Sequence, residues 1–320
     1  MGSNIYDIAT PRKKAFEAII HTLKAIHFAK FKLKADAVHI HAVGPALAIP
    51  YAKLLGLKVV FTHHGPDYDR EKWGKAAKIM LRLGERFGAK FADEIIVISE
   101  VIRNILQSKY GRNDTHLIYN GVPEPIFTDK TDYLNELDIQ VEKYIFAMGR
   151  FVPEKNFHQL IRAFSSVSDK NDYRLVIAGD ADFEDEYSLY LKRLAAENQT
   201  ILTGFIKGAK LQALLSHAAA FVLPSSHEGL PISLLEALNY QLPVIVSNIP
   251  ANKEIKLSEN AYFQTGNEAE LSQKLKTLMS QPSLKSQASP YNLDNYRWPT
   301  IADQTAIVYN HLFTAPFPKN

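Results

Sequence analysis

The sequence predicts an α/β protein with two domains, each built on a parallel sheet, and three observations favour this class. Residues Phe221 to Ser247 contain two continuous apolar runs separated by a polar loop and a helical pattern, as expected of parallel strands covered on both faces. Similar apolar runs, each followed by a polar loop and a helical pattern, recur along the chain. With 320 residues, 46% of them hydrophobic, the chain can bury two cores.

The composition of the chain excludes several classes of function. A formal net charge of +3 is too small to indicate a nucleic acid partner. Because the chain has no cysteine, disulfides, thiolate metal sites and cysteine catalysis are excluded. The sequence shows neither a secretory leader nor an apolar run long enough to span a membrane. We therefore expect a cytoplasmic protein that binds no nucleic acid.

A basic segment, residues 12–34, precedes the first clear strand and carries apolar residues at helical spacing. The segment contains seven lysine and arginine residues and a single acidic residue, Glu17. A basic amphipathic helix can lie on an anionic membrane surface, which would put the protein at the inner face of a membrane. The alternative is a helix that packs on its own sheet and exposes its lysines to solvent.

Histidines follow two predicted strands of the first domain. These strands are Ala37–His41 and Lys58–Thr62. His39 and His41 share one face of the first strand because side chains alternate along it, and His63 and His64 begin the loop that leads to Asp67. Two histidines with carboxylates are plausible metal ligands. A third ligand is not evident, so we predict no metal site here.

The rest of the first domain alternates strands and helices. The charged segment Asp69–Arg86 predicts a surface helix, and the apolar run Glu94–Ser99 predicts a buried strand whose Ser99 caps the next helix. His116–Tyr119 predicts a further strand. Residues 123–142 combine prolines and charge clusters without a sustained period, so we predict a linker between the domains, at 126–143.

Two cations follow the first strand of the second domain. The apolar run Tyr144–Gly149 predicts that strand, and Arg150 and Lys155 lie in the loop before the next helix. Two cations in such a loop can hold a diphosphate, arginine through its fork of donors and lysine as a point charge. The alternative is that both side chains are solvated. Later strands end near Asp180 and Phe205.

Two carboxylates flank the start of the helix that follows the Phe221 strand. Glu228 lies in the loop, Pro231 suits the first turn of the helix, and Glu236 lies within it. Backbone amides at the positive end of a helix form a natural anion site. The amides in question are those of Gly229, Leu230 and Ile232. Such a site suits a ligand with phosphate and hydroxyl groups, unless Glu228 merely caps the helix and Glu236 is solvated.

These stretches resemble the motifs of retaining family 4 glycosyltransferases over most of the chain. The Glu228 loop and Glu236 are similar to the family's Glu-(seven residues)-Glu pattern. Other stretches that resemble family motifs are Thr62-His63-His64-Gly65, Asn120-Gly121-Val122, Gly149-Arg150 with Lys155, Gly179-Asp180 and the final helix. The resemblance implies the GT-B fold, in which two Rossmann-like domains face each other across a cleft. The predicted domains are 4–125 and 144–295, with a helix at 296–313 that crosses back to the first domain.

The resemblance also implies a role for each candidate residue. Arg150 and Lys155 bind the pyrophosphate of the donor, Glu228 its sugar hydroxyls and Glu236 its ribose hydroxyls, while His64 orients the sugar from the opposite domain. The predicted catalytic residues are His64, Glu228, Arg150 and Lys155. The other predicted donor-binding residues are Gly149, Asp180, Phe205, Gly229, Leu230 and Pro231. The acceptor-side candidates are His41, His63 and Asp67.

The function that the resemblance implies is transfer of a hexose, with retention, from a nucleotide-diphosphate sugar to a glycan or lipid-linked acceptor. The resemblance implies neither a metal nor a cofactor. It also implies that the leaving diphosphate can take the acceptor proton, so no separate catalytic base is expected. The segment Asp69–Arg86 is similar to that of the rhamnosyltransferase-like branch, which builds bacterial surface polysaccharide.

One departure from the family pattern affects the first domain. Family members open with a strand and a Gly-rich loop that meets the acceptor, and roughly the first two strand–helix units are expected to be missing here. The N-terminal domain is therefore predicted to be incomplete. Three explanations stay open: the sequence is a trimmed form, the protein is naturally short, or a second copy or another chain supplies the piece. Two other functions remain open: a catalytically incomplete nucleotide-sugar-binding subunit, and a different enzyme, such as a GT-B-type nucleotide-sugar epimerase or a metallohydrolase that uses the histidines.

Overall fold

The computed structural model describes residues 4–10, 17–69, 74–168, 170, 172–280 and 291–314. These residues form two compact units. One unit comprises the described residues up to Asn120 together with those from Pro299 onwards, and the other runs from Gly121 to Trp298. Each unit contains one parallel sheet with helices between its strands, so the prediction of two Rossmann-like α/β domains is confirmed.

Ten strands and twelve α-helices are found in the described part of the chain. The strands are β1 Ala37–His41, β2 Lys58–His63, β3 Glu94–Val97, β4 Thr115–Leu117, β5 Tyr144–Met148, β6 Arg174–Ala178, β7 Ile201–Leu202, β8 Ala220–Leu223, β9 Val244–Ser247 and β10 Tyr262–Phe263. The helices are α1 Glu17–Phe31, α2 Ile49–Leu54, α3 Lys75–Phe91, α4 Glu100–Tyr110, α5 Asp132–Glu136, α6 Phe157–Ser165, α7 Glu186–Glu197, α8 Ala209–His217, α9 Ile232–Asn239, α10 Pro250–Lys253, α11 Glu268–Met279 and α12 Trp298–Thr314. Among the described helices, none is both long and apolar enough to cross a bilayer.

The sheet of the first unit has the order β1-β2-β3-β4, with every neighbouring pair parallel. Its apolar core includes residues from α12, the last helix in the described part of the chain, which packs on the sheet. The core cluster contains Val60, Ile96, Ile118, Ile301, Val308 and Leu312. Ser99 caps α4 as predicted, because its side chain accepts a hydrogen bond from the amide of Ile102.

The sheet of the second unit has the order β10-β9-β8-β5-β6-β7. The chain therefore builds outwards from β5 to β7, returns to the other side of β5 with β8, and continues to β10. Helix α6 carries an apolar stripe that is buried in the core of this unit, and burial of each such side chain contributes about 1.5–3 kcal/mol. The stripe consists of Phe157, Leu160, Ile161 and Phe164.

The segment predicted as a linker between the domains contains a short helix in the structure. The segment 126–143, predicted as a linker, lies in the second unit and contains α5, whose Leu134 is 1% exposed. One apolar side chain in a helix of five residues gives no period that a sequence pattern could reveal.

Of the basic segment 12–34, residues 12–16 lie outside the described residues, as do residues 281–290 of the predicted second domain.

Candidate functional site

The loops after β5 and β8 meet at the carboxyl edge of the second sheet. β5 pairs with β6 on one side and with β8 on the other, so the direction in which the chain builds the sheet reverses between β8 and β5. Ligands of open α/β sheets bind at such a switch point, outside the carboxyl ends of the strands. The predicted residues Arg150, Lys155 and Glu228 lie in these two loops.

Lys155 and Glu228 form an ion pair at this switch point. The Lys155 Nζ lies 2.6 Å from the Glu228 Oε1, and the two side chains are only 16% and 11% exposed. Removing two charges from water is costly, and the pairing offsets that cost. A phosphate beside Lys155 or a hydroxyl beside Glu228 would therefore meet a charged group that is already largely desolvated.

Two further hydrogen bonds hold the loops after β5 and β8 together. The Ser226 amide donates to the Glu154 carbonyl oxygen at 2.8 Å, and the Asn156 side-chain amide donates to the Pro224 carbonyl oxygen at 3.2 Å. Asn156 adopts the left-handed conformation, with φ 51°, between the short turn that carries Lys155 and helix α6. These contacts set the position of Lys155 relative to the Glu228 loop.

Arg150 lies in the same loop as Lys155, but its side chain contacts Asp182. The Arg150 Nη1 lies 3.0 Å from Asp182 Oδ2, and the side chains are 44% and 64% exposed. Exposed ion pairs of this kind contribute roughly 0–1 kcal/mol. The Arg150 guanidinium can therefore turn from Asp182 to a bound anion at little cost.

Gly179 brings the loops after β5 and β6 into direct contact. A Cβ added at Gly179 would lie 1.9 Å from the Gly149 carbonyl oxygen, and Gly179 has φ +136°, a conformation that favours glycine. The Phe151 amide donates to the Asp180 carbonyl oxygen at 3.0 Å across the same contact. The predicted residues Gly149 and Asp180 are thus brought together, and Gly179 is the residue that permits it.

The start of α9 offers fewer amides than the sequence predicts. The Ile232 amide, which we expected to face a ligand, donates to the Leu230 carbonyl oxygen at 3.0 Å. Pro231 is the N-cap of α9 rather than part of its first turn. Leu230 and Pro231 are buried, so their contribution to a ligand site is through the backbone. Gly229 is half-buried in the loop between Glu228 and this N-cap.

Glu236 and Phe205 differ in their exposure to solvent. Glu236 is half-buried on α9, and burial raises the pKa of its carboxyl above the usual range. Hydrogen bonds from ligand hydroxyls would satisfy such a carboxylate and lower its pKa again. Phe205 is 78% exposed, which leaves its ring accessible to a planar group. The Asp180 carboxylate lies 3.4 Å from Lys192 Nζ at the surface.

In the first unit, three histidines form a row at the carboxyl edge of the sheet. The rings of His39 and His41 are stacked with 4.1 Å between their centroids, and His41 Nδ1 lies 3.0 Å from His64 Nε2. His39 is held on its other side, where Nδ1 lies 2.7 Å from the Tyr309 hydroxyl and Nε2 lies 2.7 Å from the Thr62 hydroxyl. The predicted candidates His41 and His64 are thus in direct contact.

The row of histidines is neutral at physiological pH. Burial, followed by the charges of neighbouring histidines, lowers the pKa of His39 to about 3 and that of His64 to about 4. Asp67, the other candidate in this loop, acts in the opposite direction on His64. Burial also lowers the pKa of His41. Neutral imidazoles can both donate and accept hydrogen bonds, which suits contacts with hydroxyl groups.

His63 is not available to an acceptor, which corrects its assignment as an acceptor-side candidate. It is fully buried, its Nε2 lies 3.0 Å from the Glu85 carboxylate, and its Nδ1 accepts from the Gly65 amide. The buried Glu85 carboxylate also accepts hydrogen bonds from Tyr68 and Tyr110 at 2.7 and 2.8 Å. The buried His63 side chain therefore fixes the position of the loop that carries His64 and is not part of the exposed surface of that loop.

Glu85 is a residue that the sequence reasoning missed. Its charged surroundings predicted a surface helix, whereas Glu85 lies on the buried face of α3. Two glycines on that face allow the close approach: a Cβ at Gly84 would lie 1.9 Å from the Val43 carbonyl oxygen, and one at Gly88 would lie 2.5 Å from the Phe61 ring. Glycines four residues apart beside a glutamate were the available signal.

Comparison with known protein families gives a match over most of the chain. Residues 129–293 match the family model described as glycosyl transferases group 1, and residues 4–124 match the model described as glycosyltransferase family 4. The two matches correspond to the two α/β units, and the Lys155–Glu228 pair lies inside the first of these models.

Curated relatives match the chain over about two thirds of its length. It is 30% identical over 234 residues to the UDP-Gal:alpha-D-GlcNAc-diphosphoundecaprenol alpha-1,3-galactosyltransferase of Escherichia coli, covering 69% of the chain and 60% of that enzyme. It is 24% identical over 226 residues to the O-antigen chain mannosyltransferase of Salmonella typhimurium, covering 69% and 62%. The chain thus spans about three fifths of the length of the curated relatives that it matches.

Solved structures resemble this chain over most of its length. A protein from Anabaena in complex with UDP and glucose has a TM-score of 0.78 at 18% identity, covering 94% of this chain and 84% of that one. Sucrose-phosphate synthase from Thermosynechococcus elongatus has a TM-score of 0.76 at 20% identity, covering 96% and 81%. At these identities the likeness shows the fold alone.

Proposed function

Because the chain belongs to the group 1 glycosyltransferases, we propose that it transfers a sugar from a nucleotide-diphosphate sugar to a glycan or lipid-linked acceptor, with retention and without a metal ion. The observation that carries this proposal is the Lys155–Glu228 pair at the switch point of the second sheet. A cation and a carboxylate that are adjacent and partly desolvated match a donor in which a diphosphate is adjacent to a sugar.

The cations of the loop after β5 neutralise the charge that develops as the diphosphate leaves. Lys155 contacts the diphosphate while Glu228 accepts from hydroxyls of the sugar, so each keeps a partner when the ion pair between them loosens. Arg150 turns from its exposed contact with Asp182 to the same diphosphate. Fixed charges in a partly desolvated site stabilise a departing anion more strongly than water does, and no metal ion is required in this scheme.

The carboxylate of Glu236 binds the ribose. Its half-buried position on α9 and the raised pKa of its carboxyl are a cost that two ribose hydroxyls would relieve by donating hydrogen bonds. Phe205, which is exposed and lies three residues after β7, contacts the base. The amides of Gly229 and Leu230 complete the diphosphate site. The role of His64 in orienting the sugar stays a prediction.

Uridine nucleotides are the first donors to test. The Escherichia coli relative uses UDP-Gal by its name, and the Anabaena neighbour was solved with UDP and glucose. Supporting results would be UDP release from UDP-glucose or UDP-galactose by the purified protein, and its loss in a Glu228→Gln variant that still unfolds at the temperature of the unmodified protein.

The same assay separates the proposed function from its alternatives. Nucleotide binding without hydrolysis or transfer from any of the UDP-, GDP-, dTDP- or ADP-sugars, in the presence of lipid-linked acceptors, would favour a binding subunit. Conversion of one donor sugar into its epimer, followed by proton NMR, would favour an epimerase. Either outcome would contradict the transfer reaction.

We also propose that α1 contacts an anionic membrane where a lipid-linked acceptor would lie. The helix exposes Phe31 (57%), and Leu33 just beyond it is 46% exposed. Lys32 and Lys34, beside them, are also exposed. Apolar side chains interleaved with lysines bind the interface of anionic bilayers through burial and charge together.

A further inference from the structure

A separate cluster of ligating side chains lies in the first unit. Glu94 begins β3, His116 is the middle residue of the edge strand β4, and His311 lies in the last turn of α12. The Glu94 Oε2 lies 2.7 Å from His116 Nε2, and the Glu94 Oε1 lies 3.1 Å from His311 Nδ1. Glu94 is at the amino edge of the sheet, whereas the histidine row of His41 and His64 is at the carboxyl edge.

The three side chains have the composition and spacing of a metal site. Each offers one ligand atom, and the three atoms lie within 4.8 Å of one another. Among the residues that the structure describes, these three form the group of histidine and acidic side chains that meets this distance. Two imidazole nitrogens and a carboxylate oxygen are ligands that Zn²⁺ takes at about 2.0–2.2 Å. Tetrahedral geometry puts such atoms about 3.3 Å apart, so small side-chain rotations would be enough.

The exposure of the three residues also fits an ion that enters from solvent. The Glu94 side chain is 12% exposed, that of His116 is 32% exposed and that of His311 is 60% exposed. A largely desolvated carboxylate attracts a cation strongly, and the open side at His311 leaves room for water as a fourth ligand. We propose that Glu94, His116 and His311 bind a divalent transition-metal ion, with Zn²⁺ as the best match to this donor set.

The ion would fasten the end of α12 to the sheet of the first unit. That contact already includes the apolar side chains of Val308 and Leu312, the hydrogen bond between His311 and Glu94, and a hydrogen bond of 2.6 Å from Lys58 Nζ to the Leu312 carbonyl oxygen. His311 lies next to Leu312 in sequence. A metal bond at His311 would add a link between three elements that are far apart in the chain, and it would exist only in the folded state. Zn²⁺ would therefore raise the melting temperature as its concentration rises.

The test is titration calorimetry of untagged, chelator-treated protein with ZnCl₂, paired with thermal unfolding in the presence and absence of Zn²⁺. We expect one bound ion and a rise in melting temperature. His311→Ala and Glu94→Gln should each weaken binding by about tenfold or more and abolish the rise. His311 is exposed, so its replacement should leave the fold intact. His21→Ala, at an exposed position of α1, is the matched control and should bind as the unmodified protein does.

Three outcomes would overturn the proposal. The first is that the unmodified protein binds no Zn²⁺, and the second is that the His311→Ala variant binds it with unchanged affinity. The third is that binding disappears in a His41→Ala variant and persists in Glu94→Gln, which would assign the ion to the histidine row instead. Replacement of Zn²⁺ by Co²⁺ gives a further check, because a site of low coordination number produces intense visible absorption that the His311→Ala variant should lack.

Discussion

Replacing Glu85 by glutamine removes a buried charge from the first unit and keeps the shape of the side chain. The Glu85 carboxylate accepts hydrogen bonds from His63, Tyr68 and Tyr110. Although burial opposes ionisation, these hydrogen bonds hold the pKa of Glu85 at about 2, compared with a usual value of 4.5. The difference corresponds to about 3 kcal/mol of stability at neutral pH. We expect the variant to lose an amount of this size, because an amide accepts through only one of its two polar atoms.

The pH dependence of this loss follows from the direction of the shift. Since the folded-state pKa of Glu85 lies below that of the unfolded chain, its contribution is present above about pH 4.5 and disappears as the pH falls towards 2. Urea denaturation of the unmodified protein and the Glu85→Gln variant, followed by circular dichroism, gives the free energy of unfolding of each. The difference between the two should be largest at pH 7 and should shrink as the pH falls across this range. The matched control is Asp114→Asn, which makes the same chemical change at an exposed carboxylate paired with Arg112. It should cost less than about 1 kcal/mol.

The prediction is wrong if Glu85→Gln lowers the free energy of unfolding at pH 7 by no more than Asp114→Asn does. That result would mean that the three hydrogen bonds do not compensate for the burial of the Glu85 charge. A difference of the expected size that does not change with pH would be equally contradictory, because it would assign the loss to packing and not to ionisation.

Three further predictions concern other parts of the molecule. Gly179→Ala should destabilise the second unit by about 1–3 kcal/mol in urea denaturation and weaken nucleotide binding. Gly266→Ala, at a position with positive φ but no atom near the added Cβ, should destabilise it less. Equal losses of stability would count against the contact with Gly149. His64, whose folded pKa of about 4 lies below its usual 6.5, should stay neutral by NMR down to about pH 5, and its contribution to stability should be lost as the pH falls from 6.5 towards 4; titration near 6.5 would contradict this. The protein should float with anionic vesicles and not with neutral ones, and less so at raised salt, and flotation that ignores lipid charge would remove the membrane contact.

The strands of both sheets were predictable because parallel strands are buried on both faces and read as unbroken apolar runs. The loops that follow them were predictable for the same reason, since the runs end abruptly, at Gly149-Arg150 after β5 and at Pro224-Ser225 after β8. The contact between Lys155 and Glu228 was not predictable from spacing, because they are 73 positions apart. It depends on β5 and β8 being neighbours, which strand order in the sequence does not specify.

The buried polar groups were the least predictable part. Glu85 and His63 are polar residues in charged or polar stretches, and local sequence assigns such residues to the surface. They are buried because the elements that carry them pack closely at Gly84 and Gly88, a tertiary effect. The Ile232 amide illustrates the same limit, since its hydrogen bond to Leu230 depends on the exact backbone path into α9.

Binding of UDP by titration calorimetry tests the central claim most directly, namely that the loop after β5 holds a nucleotide diphosphate. We expect Lys155→Ala and Arg150→Ala each to weaken binding by about 1–3 kcal/mol, the size of a lost charge-assisted hydrogen bond. Lys210→Ala, at an exposed lysine of α8 paired with Glu136, should bind as the unmodified protein does. Unchanged affinity in both the Lys155 and Arg150 variants, with their melting temperatures preserved, would contradict the account.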